Sequence, residues 1–521
     1  MSYPYYDLRE AIQALEEKGL MKHVKTEVDK NWELSAVMRW VYQGYPEDKW
    51  FGIVFDKVKG YDIPVVVGVY ASYKSYAVGL GIDTDKPRPE IMKEIRQRWT
   101  KALHNPLTPK IVKTGPCKQN IMKGSDVNIH KFPIPVWNPE KDANWDKGYG
   151  FLTSPYHITK DAETGIRNVG TYRNMIREEP NIMGMMAAKG QHVQVHMIKN
   201  EVKGKATEIA TVLGADPAVG MTSVTHIPYN LDELAVAGGL RGAPLEMVKC
   251  ETVDIEVPAT AEIVIEGRIP TRQERPYEME APFGEYLGYE GGPTINPVYE
   301  INCITYRDNA VYQAFISQMP PCESDVVGNT SFEAFVLRGL ETAGIEGVVD
   351  VHMPHTSLHG MVFISIKKRD QGHAARVAYA YYALVQPRGG KFVVVVDDDV
   401  DIYDLENVLW AIVSRTSLAA NNKRVTFIEG LDALALDHSA APDMQGWRQK
   451  WDFPCVGVLI DATRPYAPFP MISLPPAKYL ERVRDMWDKY GLPDLDKKEL
   501  PKYLTMEEEY IKQGIVAPFE T

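Results

Sequence analysis

The chain has 521 residues, 45% of them apolar and 25% charged. At roughly 100–200 residues per domain this gives room for several domains with large cores, and the near-average composition excludes a disordered or fibrous chain. The net charge of −12, from 58 Lys and Arg against 70 Asp and Glu, repels phosphate backbones, and no local basic stripe argues for nucleic acid. The five cysteines, Cys117, Cys250, Cys303, Cys322 and Cys455, form no C-x-x-C pair and suit a reducing compartment. The first residues carry charges where a signal peptide needs an apolar run, and no uninterrupted apolar stretch of about 18 residues follows. A cytoplasmic location without a membrane span is expected.

From Asp7 to Lys18 the spacing of Leu8, Ile12 and Leu15 predicts an amphipathic helix ended by Gly19. Ile63 to Tyr70 (IPVVVGVY) reads as a buried strand, because successive β-branched residues suit a covered sheet. Pro-rich stretches at 105–116 and 132–139 mark a change of domain. Strand-like runs then dominate: 192–198, 208–214, 253–257, 262–267 and 301–306. With Gly, Pro and Asn turns between them they predict an antiparallel sheet or barrel. Beyond Val311, helical stretches at 331–344 and 372–385 alternate with strands at 362–366 and 392–396, as in a parallel α/β domain. A Glu- and Lys-rich helical segment from Pro476, broken at Pro493 and Pro501, reads as an arm that packs on its own chain or on a partner subunit.

Several segments carry candidate chemistry. NVGTYRNMI places Asn168, Gly170 and Arg173 at the end of a strand and turn, where the Arg fork can pair with a carboxylate or phosphate. In GQHVQVHM, His192 and His196 have the four-residue spacing of a zinc helix, but the alternation of valines favours a strand with a polar face, and a protease Glu is missing. EAPFGEYLGY sets Glu280 and Glu285 about a Pro-Phe-Gly turn. Paired carboxylates can differ enough in proton affinity for one to act as an acid, although two exposed turn residues are the plainer expectation. The glycines of GGLRG, with Arg241, offer a weak phosphate cradle, and neither G-x-G-x-x-G nor a P-loop occurs. The acidic run at 397–399 reads as a solvated strand end, since its spacing fits no EF-hand loop.

Taken in order, NVGTYR, GQH, LGADPA, DELAVAGGLRG with APLEMVKC, VPATAEIVIEG, EAPFGE and DVDIYDLENVLWA resemble the UbiD family of reversible (de)carboxylases that use prenylated FMN. The resemblance spans about residues 150–465. It implies an α/β multidomain chain: an N-terminal α/β domain (1–116), a split β-barrel that binds prenylated FMN (117–310), a C-terminal α/β domain (311–475) and a helical oligomerisation arm (476–521). It implies that Asn168, His192 and Glu233 hold a divalent metal, manganese foremost, beside a potassium ion. Cofactor contacts are then expected from Thr153, Asn168, Gly170, Thr171, Tyr172, Arg173, Gln191, His192, Ser223, Thr225, Glu233 and Lys391.

In the implied reaction Arg173 takes the substrate carboxylate, Glu280 orients Arg173, the flavin is the electron sink, and Glu285 protonates the product carbon. Tyr286, Tyr466, Phe469 and Met471 are expected to line the substrate, an aromatic or heteroaromatic acid or an aryl-CoA thioester with a free carboxylate. The absence of a His in MPPCESDVVG disfavours a hydroxybenzoate. A flavin prenyltransferase is the expected cofactor source, and the family's dimers or hexamers the expected assembly. Two other functions compete: a non-catalytic flavin- or phosphate-binding protein of the same fold, and a metal-dependent hydrolase using His192 and His196.

Overall fold

The computed structural model describes residues 3–137, 150–188, 190–357, 359–385, 390–419, 422–432, 454–495 and 499–517. They fall into two compact units, the first running to Ala334 and the second starting at Phe335. The last two residues of the Pro-rich stretch 132–139 lie outside the described residues.

In the first unit the predicted N-terminal helix spans Leu8–Glu17, with Leu8, Ile12 and Leu15 buried. The Asp7 carboxylate caps it by accepting the Glu10 amide, and Gly19, at φ +73°, turns the chain away. Within the predicted 63–70 strand, Val65–Val67 forms the paired part and is wholly buried. It pairs antiparallel with Gly52–Phe55 and parallel with Tyr312–Gln313, while Met21–Val24 runs parallel to Gly52–Phe55.

The central sheet has seven strands, all antiparallel, in the order Ile182–Gly184, Val298–Tyr306, Ile263–Ile269, Thr207–Leu213, Tyr156–Lys160 and Arg167–Thr171; Asn120–Lys123 also pairs with Val298–Tyr306. Three of the predicted strands, 208–214, 262–267 and 301–306, lie in this sheet. Among the described residues its outer strands do not pair with each other, so no barrel closes. The 253–257 prediction overlaps only the short strand Glu256–Pro258, which pairs with Glu246–Lys249 in a separate sheet.

The larger correction concerns 192–198, which is the helix His192–Val202 rather than a strand. Val193, His196 and Met197 are its buried residues, a spacing of three and four that marks one helix face. Val195, which the alternating reading put beside Val193, is only half-buried. GGLRG is corrected likewise. It ends the helix Glu233–Arg241, and Arg241 pairs with the buried Asp216 at 3.1 Å instead of facing a phosphate.

The second unit is a five-stranded sheet in the order Val348–His352, Met361–Ile366, Phe392–Asp397, Pro454–Ala462 and Val425–Asp432. The three inner strands run parallel and the two edge strands antiparallel. Val393 to Val396 are fully buried, as a central parallel strand requires. The helix His373–Val385 matches the predicted 372–385 to within a residue, while the predicted 331–344 overlaps the helix Glu323–Thr342, which begins eight residues earlier, in the first unit, and ends two residues sooner.

Asp397, Asp398 and Asp399 are not the expected solvated cluster. All three are buried, with Asp397 and Asp399 paired to Arg415 and Arg464. The described part of the C-terminal arm packs on its own chain: Tyr510 donates to Asp398, and Val516–Ala517 pairs with Phe469–Pro470. Among the described residues no helix is long and apolar enough to cross a membrane, and the five cysteines are free.

Candidate active site

Arg173 follows the strand Arg167–Thr171, and its guanidinium is buried between two carboxylates that the sequence separates from it by more than a hundred positions. Glu280 Oε2 accepts from Nε at 3.1 Å and from Nη2 at 2.7 Å, while Glu285 Oε1 accepts from Nη1 at 2.5 Å. Neither Glu is the exposed turn residue that its Pro-Phe-Gly setting allows; Glu280 is 0% and Glu285 7% exposed. Burial alone would lower the Arg173 pKa, but Glu280 and Glu285 hold it above its ordinary value. The Phe283 ring lies beneath the guanidinium at 4.5 Å and is packed edge-on by Phe151 at 4.8 Å.

The turn between the two glutamates explains how they converge. Phe283–Gly284 pairs with Glu290–Gly291, so the chain folds back and brings Glu285 over Gly291. A Cβ on Gly291 would stand 2.8 Å from Glu285 Oε1, so this glycine leaves the space that the carboxylate occupies. Glu280 lies on Glu278–Glu280, paired with Thr294–Asn296, and Asn296 Nδ2 donates to its Oε2 at 2.8 Å. The other oxygen, Oε1, is buried with no hydrogen-bond partner among the described residues.

Asn296 and Phe283 were not singled out in the sequence, nor was His157. The His157 ring bonds the Tyr172 carbonyl at 2.8 Å and Thr211 Oγ1 at 2.7 Å, fixing the backbone one residue before Arg173. Burial pushes its pKa down to about 4, so it is neutral near pH 7. His157 sits on Tyr156–Lys160, and its partners come from other strands; only the fold joins them.

The residues expected to hold a metal come from three elements that pack together: Asn168 from the 167–171 strand, His192 from the start of the 192–202 helix and Glu233 from the start of the 233–241 helix. Glu233 Oε1 is 3.6 Å from His192 Nδ1, and its Oε2 accepts from the Val169 amide at 3.2 Å. Burial raises the Glu233 carboxyl above its usual range, and among the described residues Asn168 Nδ2 is buried without a hydrogen-bond partner. Among the described residues no three His, Cys, Asp or Glu side chains cluster as metal ligands, so any site here depends on the Asn168 amide.

The residues expected at a flavin also gather in the first unit. Thr171 and Ser223 hydroxyls meet at 2.8 Å, Thr225 Oγ1 donates to the Met221 carbonyl at 2.7 Å, and Gln191 Oε1 accepts from Ala188 at 2.8 Å. Thr153 Oγ1 donates to the Phe315 carbonyl, and Gly170 lies against the Tyr172 phenol, where a Cβ would collide. Tyr286 follows Glu285 in the turn. Lys391, Tyr466, Phe469 and Met471 belong to the second unit.

Comparison with known proteins matches all three parts of one family. The 3-octaprenyl-4-hydroxybenzoate carboxy-lyase N-terminal domain matches residues 12–99, the Rift-related domain 110–320 and the C-terminal domain 325–462. An uncharacterised protein of Archaeoglobus fulgidus is 34% identical over 467 residues, covering 85% of this chain and 90% of its own. Among solved structures, the UbiD-class enzyme HmfF of Pelotomaculum thermopropionicum, in an evolved dimeric form with prenylated FMN, matches with TM-score 0.76 and 30% identity. It covers 91% of this chain and 98% of its own. The closed form of vanillic acid decarboxylase of Sedimentibacter hydroxybenzoicus matches with TM-score 0.79 and 29% identity over 94% of this chain and 100% of its own. The chain therefore belongs to the UbiD family of carboxy-lyases.

Proposed function

We propose that the protein is a reversible, non-oxidative decarboxylase of an aromatic or heteroaromatic acid, or of an aryl-CoA thioester with a free carboxylate, working with prenylated FMN. The observation that carries this reading is the buried Arg173 shared by Glu280 and Glu285. A protein that only binds flavin has no need of two desolvated carboxylates on one guanidinium. The cofactor supplies an electron sink for the carbon that loses carbon dioxide.

The protein's own groups do the rest. Arg173 presents its fork to the substrate carboxylate, and Glu280, held by Asn296, keeps that fork in one plane. The three side chains already carry one positive and two negative formal charges, so a substrate carboxylate adds a third negative charge to a dry site. A proton on Glu285 offsets it and weakens the hold of Glu285 on Nη1. That proton is then delivered to the product carbon.

The residues present fit a flavin phosphate with a divalent cation. An amide oxygen from Asn168, an imidazole from His192 and a carboxylate from Glu233 form a mixed set suited to manganese, and Glu233, raised by burial, gains from a cation beside it. Thr153, Gly170, Thr171, Tyr172, Gln191, Ser223 and Thr225 would hold the flavin, with potassium beside the metal. Tyr286 is proposed to line the substrate. The cofactor would come from a flavin prenyltransferase, and the chain would act as a homo-oligomer in the cytoplasm.

The test is to co-produce the chain with a flavin prenyltransferase, record its absorbance spectrum and screen aromatic and heteroaromatic acids for carbon dioxide release. A bound flavin chromophore with release from at least one acid is expected. A colourless, inactive protein would overturn the reading.

A further inference from the structure

A metal-binding imidazole needs a second contact to fix its ring, usually a hydrogen bond from the other nitrogen. At His192, Glu233 Oε1 lies 3.6 Å from Nδ1, beyond direct hydrogen-bond reach. Instead the Tyr229 ring stands against the imidazole at 4.9 Å between centroids and 89° between planes, an edge-to-face contact.

Tyr229 is itself anchored. Its hydroxyl donates to Asp161 Oδ2, and Lys199 Nζ, 5.4 Å from the ring centroid, pairs with the same carboxylate at 2.7 Å. Asp161 is buried, and its other oxygen accepts from the amides of Glu163 at 2.7 Å and Thr164 at 3.3 Å. His192, His196 and Lys199 follow one another at four and three residues on one helix, so a single face wraps around this phenol. The His196 ring lies 5.8 Å from Tyr229, and its Nδ1 bonds Thr159 Oγ1 at 2.8 Å. Thr159 is the cross-strand partner of Asn168. One tyrosine therefore touches the helix that carries one proposed ligand and lies next to the strand pair that carries another. It also precedes Glu233 by four residues.

We infer that Tyr229, braced by Asp161 and Lys199, is a positioning residue that fixes the His192 imidazole for the divalent cation. The inference rests on the proposed metal set of Asn168, His192 and Glu233. Tyr229 touches neither flavin nor substrate in this account; it acts through His192. The tie also gives His196 a role that needs no metal: it is a neutral, buried wall of the tyrosine's slot, its pKa pushed down to about 4 by burial.

The test titrates Mn²⁺ alone into the full-length chain in the presence of FMN, following free Mn²⁺ by electron paramagnetic resonance. FMN affinity and melting temperature are measured beside it. Tyr229→Leu, which removes the ring, is expected to weaken Mn²⁺ binding by about 10–100-fold, the range typical of lost outer-shell support. Tyr229→Phe keeps the ring but loses the Asp161 anchor, and is expected to weaken it by only about threefold. FMN affinity is expected to stay within about twofold in the phenylalanine variant.

Mn²⁺ binding by Tyr229→Leu at the strength of the unaltered protein would overturn the inference. So would equal loss of Mn²⁺ affinity and melting temperature in both variants, which would mark plain destabilisation. Glu233→Gln separates the underlying reading: if it leaves Mn²⁺ affinity unchanged, the metal set itself is wrong, whatever the tyrosine variants do.

Discussion

The two units each bury a cluster of arginine and carboxylate, and the clusters differ in charge balance. In the second unit Arg415 and Arg464 face Asp397 and Asp399. Arg415 grips Asp399 with both Nη atoms at 2.8 and 2.7 Å, so two positive charges meet two negative ones. In the first unit Arg173 is the arginine that hydrogen-bonds Glu280 and Glu285, the half-buried Arg177 acting on Glu280 only through its charge, and among the described residues Glu280 keeps a buried oxygen with no hydrogen-bond partner. A balanced cluster is complete as it stands. An unbalanced one holds a surplus negative charge in a dry place, which is costly unless a proton or another ligand joins it. The surplus is what suits the first cluster to the proposed chemistry, whereas the balanced second cluster reads as a fastening.

The sharpest way to break this contrast is to unbalance the second cluster. Arg415→Met leaves Asp399 with Arg464 alone and should cost about 3–5 kcal/mol, the usual penalty for removing one partner of a buried ion pair. Denaturant unfolding would measure it, and a loss near zero would mean that this cluster is not a fastening. Glu285→Gln, by contrast, removes the surplus charge from the first cluster and should leave the melting temperature unchanged or raised.

A smaller effect concerns acid. His157 is expected to stay neutral in the fold down to about pH 4, whereas in the unfolded chain it takes a proton near its ordinary value of 6.5. Its depressed pKa therefore costs nothing above about pH 6.5 and lowers stability progressively as pH falls toward 4, by roughly 3 kcal/mol at the end of that window. His157→Gln should flatten this part of the stability profile. An unchanged slope in that variant would remove His157 as its source. Asp399 behaves differently: burial raises its carboxyl, but Arg415 and Arg464 outweigh burial and hold it low. Its contribution is present above the ordinary Asp range and is lost only below it.

Smaller still, Asn296→Leu removes the amide that braces Glu280 and should cost about 1–3 kcal/mol, as for other buried polar groups left without a partner. If Glu280 orients Arg173 as proposed, turnover should fall more than cofactor binding does.

Much of the architecture was legible because it rests on local pattern. The helix at 8–17 shows its apolar stripe and its Gly stop, and the valine run at 393–396 can suit little but a buried parallel strand. The 192–202 helix was misread because Val193, Gln194 and Val195 imitate strand alternation over three residues, while the deciding face, Val193, His196 and Met197, needs a longer window. The burial of 397–399 was hidden because its neutralising arginines lie 16 or more residues away. Local segments offered Arg173, Glu280 and Glu285 only as separate candidates, and the ordered family resemblance alone joined them into one site, since nothing local ties position 173 to 280. The supports, His157, Asn296, Phe283 and Tyr229, carry no motif; each matters through a partner brought to it by sheet or helix packing.

The central claim is that Glu285 is the acid of the unbalanced cluster, and the most direct test is solvent deuterium exchange into the decarboxylated product. It would be run with the unaltered enzyme and Glu285→Gln, both loaded with prenylated FMN. The account predicts that the variant keeps its flavin spectrum and loses exchange and turnover by about 10²–10⁴-fold, the contribution expected of a positioned general acid. Exchange and turnover at the unaltered rate in Glu285→Gln would contradict it.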